Sequence, residues 1–193
     1  MNARERILKA GARIIHQEGF YSTGLAKVLE AAEVPKGSFY FHFKNKEDFG
    51  LHLIDYFAEN LRAKRNKIYR EQGLSHIEKM REIFKSQAKS LSKNDFKGGC
   101  PLGNLAQETA DCNEKFRKKL DQVFMEIKKE LALQLELAKK SGEISGSLDC
   151  DETADFIMNS WEGTLMEMKV SKCIIPHKVF ERMVFERLLV TKQ

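Results

Sequence analysis

The sequence has little of what interrupts helices. Three prolines and twelve glycines are spread over 193 residues, too few for a sandwich or barrel of short strands, so long helices are expected. No apolar run approaches the roughly 20 residues that a membrane-spanning helix needs, and no membrane association is expected. The opening run Met1-Asn2-Ala3-Arg4-Glu5-Arg6 reads as the start of an amphipathic helix rather than a secretory leader, which makes the cytoplasm the expected compartment. Cys100, Cys112, Cys150 and Cys173 form no CxxC pair and have no clustered histidines beside them. That spacing argues against a structural zinc site, and cytosolic thiols stay reduced unless one is tuned to react. There is no phosphate-cradling glycine loop, no metal-ligand spacing and no nucleophile with an evident base partner. Neither an enzyme nor a cofactor-binding protein is expected.

What is present is a globular chain with an asymmetric charge. The net charge is +5, and residues 1–70 hold 13 Lys and Arg against 8 Asp and Glu. The whole excess therefore lies in the N-terminal third, as suits a nucleic-acid-binding head on an electrically balanced body.

Hydrophobic periodicity gives an all-α reading. A first helix spans about residues 3–18, with Ile7, Leu8, Gly11, Ile14 and Ile15 on one face and Gly19 ending it. Ser22 and Thr23 offer N-cap hydroxyls to a second helix carrying Leu25, Val28, Leu29 and Ala32. Glu33-Val34 makes a tight turn, and Pro35 opens a short third helix, residues 35–41. Asn45 caps a fourth that runs on through Arg62–Arg70. Further helices are expected at about residues 75–92, 101–109, 114–140, 151–172 and 177–189.

Two short helices joined by a tight turn and braced by a longer one make a helix-turn-helix. The second of the pair must enter a major groove, so its outer face should carry hydrogen-bonding groups and little bulk. Lys36 and Ser38 stand on its first turn, within reach of base edges, and Gly37 lets the backbone approach. Tyr40 and His42 can donate to phosphate oxygens, contacts that fix register. Thr23 at a helix start is a candidate phosphate site, and Lys46 adds a cation at the next helix. Phe39 and Phe43 are expected in the core.

The run from Gly19-Phe20-Tyr21-Ser22-Thr23-Gly24-Leu25 through Val34-Pro35-Lys36-Gly37-Ser38-Phe39-Tyr40-Phe41-His42-Phe43-Lys44-Asn45-Lys46-Glu47 resembles the DNA-binding signature of TetR-family repressors. That pattern runs from a Gly-aromatic-x-x-Thr entry to Gly-x-aromatic-Tyr-x-His/Tyr-Phe and then Lys-Glu. It covers about fifty of the 193 residues; Leu29 departs from it, since alanine is commoner there. The resemblance implies a head at residues 1–47, a linking helix at 46–70, and a ligand-sensing and dimerisation body at 48–193. It further implies a palindromic operator, a small-molecule effector and a homodimer built by the last two helices. The apolar stripes there independently suggest Ile157, Trp161, Leu165, Phe180, Val184 and Leu188 as dimer residues. A helical small-molecule carrier that ignores DNA is the alternative, and the polar surface of the third helix argues against it.

One body segment stands out. In Lys97-Gly98-Gly99-Cys100-Pro101-Leu102-Gly103-Asn104, Cys100 precedes a helix with proline in its first turn. A thiolate there would feel the positive end of the helix dipole. The segment is similar to the N-ethylmaleimide-responsive branch of the same family, which implies that Cys100 senses electrophiles or oxidants. A small buried cysteine shaping a pocket for a neutral ligand is the competing expectation. Cys112, Cys150 and Cys173 are expected to be structural.

Overall fold

A computed structural model describes residues 1–190, so the last three residues of the expected body lie outside the described residues. The described residues hold nine α-helices and no strand: α1 Ala3–Glu18, α2 Leu25–Ala31, α3 Lys36–His42, α4 Lys46–Tyr69, α5 His76–Lys93, α6 Pro101–Thr109, α7 Glu114–Lys140, α8 Cys150–Ser171 and α9 Ile175–Met183. A single π-helical turn, Val184–Leu188, follows α9. Local chemistry sets many of these ends. Asn2 and Glu5 form a reciprocal capping box on α1, as Ser75 and Glu78 do on α5. The Asn45 side chain accepts the amide of Asp48 at the start of α4 (2.8 Å).

The described residues divide into two compact units, residues 1–62 with 100–123 and residues 63–99 with 124–190. The segment from Cys100 through the first half of α7 packs with the DNA-binding head. Side-chain contacts explain why. The rings of Phe20 and Phe116 lie 5.0 Å apart, and a Cβ at Gly50 would collide with both. Lys119 pairs with Asp55 (2.5 Å).

In the first unit, α2 and α3 rest on α1. Their shared core is aromatic: Phe39, Phe43 and Phe49 are at most 1% exposed, with ring centroids 5.2 to 5.9 Å apart. Gly11 is required by that packing, because a side chain on it would run into the Phe49 ring. Burying three phenyl rings contributes several kcal/mol, at roughly 1.5–3 kcal/mol each, and fixes how α3 is presented.

The second unit is organised around Trp161. Its indole packs on Phe84 and Phe180, with ring centroids 4.9 and 5.0 Å away, and its Nε1–H donates to the Gln87 side-chain oxygen at 3.2 Å. The Glu143 carboxylate accepts the amides of His76 and Ile77 at the start of α5, satisfying donors that a helix N-terminus leaves open. Arg65 and Glu130 form a short ion pair in the same unit. No helix among the described residues is long and apolar enough to cross a membrane.

Candidate nucleic-acid interface

The outer face of α3 is built by what its inner face buries. Phe39 is wholly buried and Phe43, at the C-cap, nearly so. Helical geometry then turns Lys36, Gly37, Tyr40 and Phe41 to solvent. Tyr40 is 59% exposed and its ring stands edge-on to Phe39, with centroids 5.3 Å apart. Ser38 and His42 are half-buried at the margins. A Cβ on Gly37 would meet nothing within 4 Å, so this position is open toward a groove. Lys44, exposed just beyond the helix, adds a cation that the sequence reading passed over.

Two expected contacts are placed otherwise. Thr23 is 1% exposed and donates its hydroxyl to the Gly19 carbonyl at 2.6 Å. The N-cap of α2 is Gly24, with no side-chain cap. Thr23 therefore closes the turn between α1 and α2 from inside and presents nothing to a phosphate. Lys46 is also engaged internally: its ammonium donates to the Tyr21 carbonyl (3.3 Å) and sits 4.9 Å from the centre of the Phe20 ring. Burial pushes it below the ordinary lysine value, against the opposing pull of Glu108.

That turn has a further support with no local sequence signal. The Glu108 carboxylate, from α6, accepts the amides of Phe20 and Tyr21, each at 2.7 Å. Gly19 adopts φ +90°, and a Cβ on it would approach Glu108 Oε1 to 3.1 Å. The Glu47 carboxylate takes hydrogen bonds from Lys115 and Asn113, which hold it below the usual carboxylate range. Desolvation, then the charges of Cys112, Glu108 and Glu47, raises the Tyr21 hydroxyl. Start and end of the α2–α3 pair are thus tied to the α6–α7 corner.

Cys100 is the N-cap of α6. Its Sγ accepts the Gly103 amide at 3.3 Å, and the side chain is half-buried. Cys112, expected to be structural, is exposed on the turn before α7. Cys150 is buried, and desolvation first, then Glu136, pushes its thiol up to about 11.

The expected dimer stripe is turned inward. Ile157, Trp161, Leu165, Phe180 and Val184 are at most 5% exposed within the single chain, and Leu188 is half-buried. They fill the protomer's own core and have little surface to offer a partner. The same two helices expose a second apolar face: Phe156, Met166, Val170, Ile175, Val179 and Met183 are each at least 43% exposed. Several of these line an open groove with Gly163 and Thr164.

Comparison with known proteins places this arrangement. Residues 7–52 match the family described as bacterial regulatory proteins, tetR family. Residues 76–184 match the tetracyclin repressor-like C-terminal domain. The chain is 32% identical to the transcriptional regulator AcuR of Cereibacter sphaeroides, over 98% of this chain and 86% of that protein. It is 27% identical to the transcriptional repressor DhaR of Mycobacterium sp. strain GP1, over 96% and 92%. The crystal structure of a regulatory protein TetR from Rhodobacter sphaeroides superimposes with a TM-score of 0.89 at 30% identity, covering 97% of this chain and 99% of that one. The reduced form of Escherichia coli NemR gives 0.90 at 23% identity, over 100% and 99%, a likeness of fold. A helix-turn-helix head with an open, hydrogen-bonding outer face and two matched domains has one reading: the chain belongs to the TetR family of DNA-binding transcriptional regulators.

Proposed function

We propose that this protein is a cytoplasmic, homodimeric repressor that holds a palindromic operator through α3 and releases it in response to a small effector or to modification of Cys100. The observation that carries the reading is the α3 surface, where Lys36, Gly37 and Tyr40 stand outward, with Ser38 at the margin, on a buried aromatic base. Lys36 and Ser38 read base edges, and Tyr40 and His42 contact phosphates. The exposed apolar face of α8 and α9, with Val179 and Met183 at its centre, is the surface on which the second copy sits. A two-fold dimer suits half-sites about one helical turn, roughly 34–36 Å, apart. The test is selection of binding sites from a randomised duplex pool by the full chain. An inverted repeat at that spacing is expected; failure to enrich any sequence would overturn the reading.

The release step rests on Cys100. Its thiol occupies an N-cap in the same compact unit as the head and is half-buried, so the bulk of an adduct on sulfur would displace the start of α6. A 100-fold loss of operator affinity needs only about 2.7 kcal/mol of difference between two conformations. Operator complexes of wild type and Cys100→Ser are treated with an electrophile or hypochlorite. Release from wild type alone is expected; equal release from both would exclude Cys100 and leave a reversible small ligand as the trigger.

A further inference from the structure

Phe41 is the most exposed large apolar side chain among the described residues, at 90%. It lies two residues, about 200° of helical turn, from Phe39, which is wholly buried. Phe41 and Gly37 are four apart and share one line on α3, the line facing directly away from the aromatic core. One turn earlier, Gly37 leaves the surface beside Phe41 open, since a Cβ there would meet nothing within 4 Å. Its ring meets that of the adjacent His42 edge-on, with centroids 5.8 Å apart. The surroundings favour a polyanion, because residues 1–46 carry eight Lys and Arg against four Asp and Glu.

We infer that Phe41 is a specificity-determining residue that reads a thymine 5-methyl group in each operator half-site. The inference rests on the operator-binding reading and deepens it. A phenyl ring carries no donor or acceptor, so it cannot serve a phosphate as Tyr40 can. The major groove offers it one apolar functional group on base edges, the thymine methyl. Being at the crest of the helix, it reaches the groove floor before its polar neighbours do, and the missing side chain at Gly37 removes the obstacle beside it.

The experiment uses the full chain and an operator selected by wild type from a random pool. Each thymine is replaced in turn by deoxyuridine, symmetrically in both half-sites, which removes only the methyl group. At one thymine per half-site, wild type should lose roughly fourfold in affinity for each half-site, the weight of one buried methyl group. Phe41→Ala should bind the thymine operator more weakly and tolerate uracil there without further loss. Phe41→Tyr should keep the discrimination. The dependence on salt should be the same for all three, since no charge is changed. Equal binding of thymine and uracil operators by wild type at every position would overturn the inference, as would an unchanged ratio in Phe41→Ala. Either result leaves operator binding itself intact; absence of any selected operator would overturn that reading and this inference with it.

Discussion

Replacing Glu108 by alanine deletes one carboxylate and, with it, both acceptors of the Phe20 and Tyr21 amides. A hydrogen bond to a charged group contributes about 1.5–3 kcal/mol when its loss leaves a buried partner unmet. Phe20 is 3% exposed, whereas Tyr21 is 50% exposed and water can replace its acceptor. The full penalty therefore applies to one amide of the two, and the turn should be destabilised by about 1.5–3 kcal/mol. That corresponds to roughly a ten- to hundredfold rise in the local opening equilibrium. Amide hydrogen exchange reads this directly: protection at Phe20 should fall by that factor in Glu108→Ala, and less in Glu108→Gln, which keeps one acceptor oxygen. The Gly19 backbone, at φ +90°, has no side chain with which to compensate. Because the same turn starts α2, operator affinity should weaken in step with lost protection. Unchanged protection at Phe20 and Tyr21 in Glu108→Ala would refute the argument that α6 holds the turn.

Other consequences can be measured on the body. Val179→Glu places a carboxylate on the exposed apolar face; excluding water from it would cost several kcal/mol. Sedimentation should show monomers with an undiminished fold, whereas Leu165→Glu, at a position 5% exposed, should unfold the protomer. An intact Val179→Glu dimer would move the interface elsewhere. With a thiol pushed up to about 11, Cys150 should resist maleimide at pH 8, while the exposed Cys112 is labelled first; mass spectrometry of a short reaction decides this. Burial holds His177 below its ordinary value, opposed by Glu181 and assisted by Lys85. Its native site thus favours the neutral ring, and the stability this contributes is present above the unfolded value of about 6.5 and lost as pH falls below it. Thermal unfolding should show that loss between pH 7 and pH 5.5, and His177→Gln should flatten it; equal pH profiles would contradict it.

Local chemistry made much of this molecule legible in its sequence. Glycine at position 19, asparagine at 45 and serine at 75 mark helix ends because each satisfies backbone groups a few residues away. Apolar spacing located the helices for the same reason. What stayed hidden depends on distance along the chain or on choice between faces. Glu108 meets Phe20 across 88 residues, and no pattern within either segment announces the other. Thr23 looked like a cap because its hydroxyl could serve a following helix; in the fold it turns back to Gly19. On α8, the stripe Ile157, Trp161 and Leu165 and the face with Phe156, Met166 and Val170 are both apolar. Periodicity finds such faces but does not say which one meets the protomer's own core. The exposed ring of Phe41 was masked by its buried neighbours Phe39 and Phe43, which share its residue type.

The central claim is that the outer face of α3 distinguishes an operator from other DNA. Equilibrium binding of the full chain to its selected operator, against a scrambled duplex of the same length and salt, measures that ratio. Wild type should prefer the operator by about 1,000-fold or more. The double variant Lys36→Ala, Phe41→Ala, altered only at exposed positions, should keep its thermal stability and lose most of the preference. An undiminished ratio in that variant would contradict the account, because the reading surface would then lie somewhere other than α3.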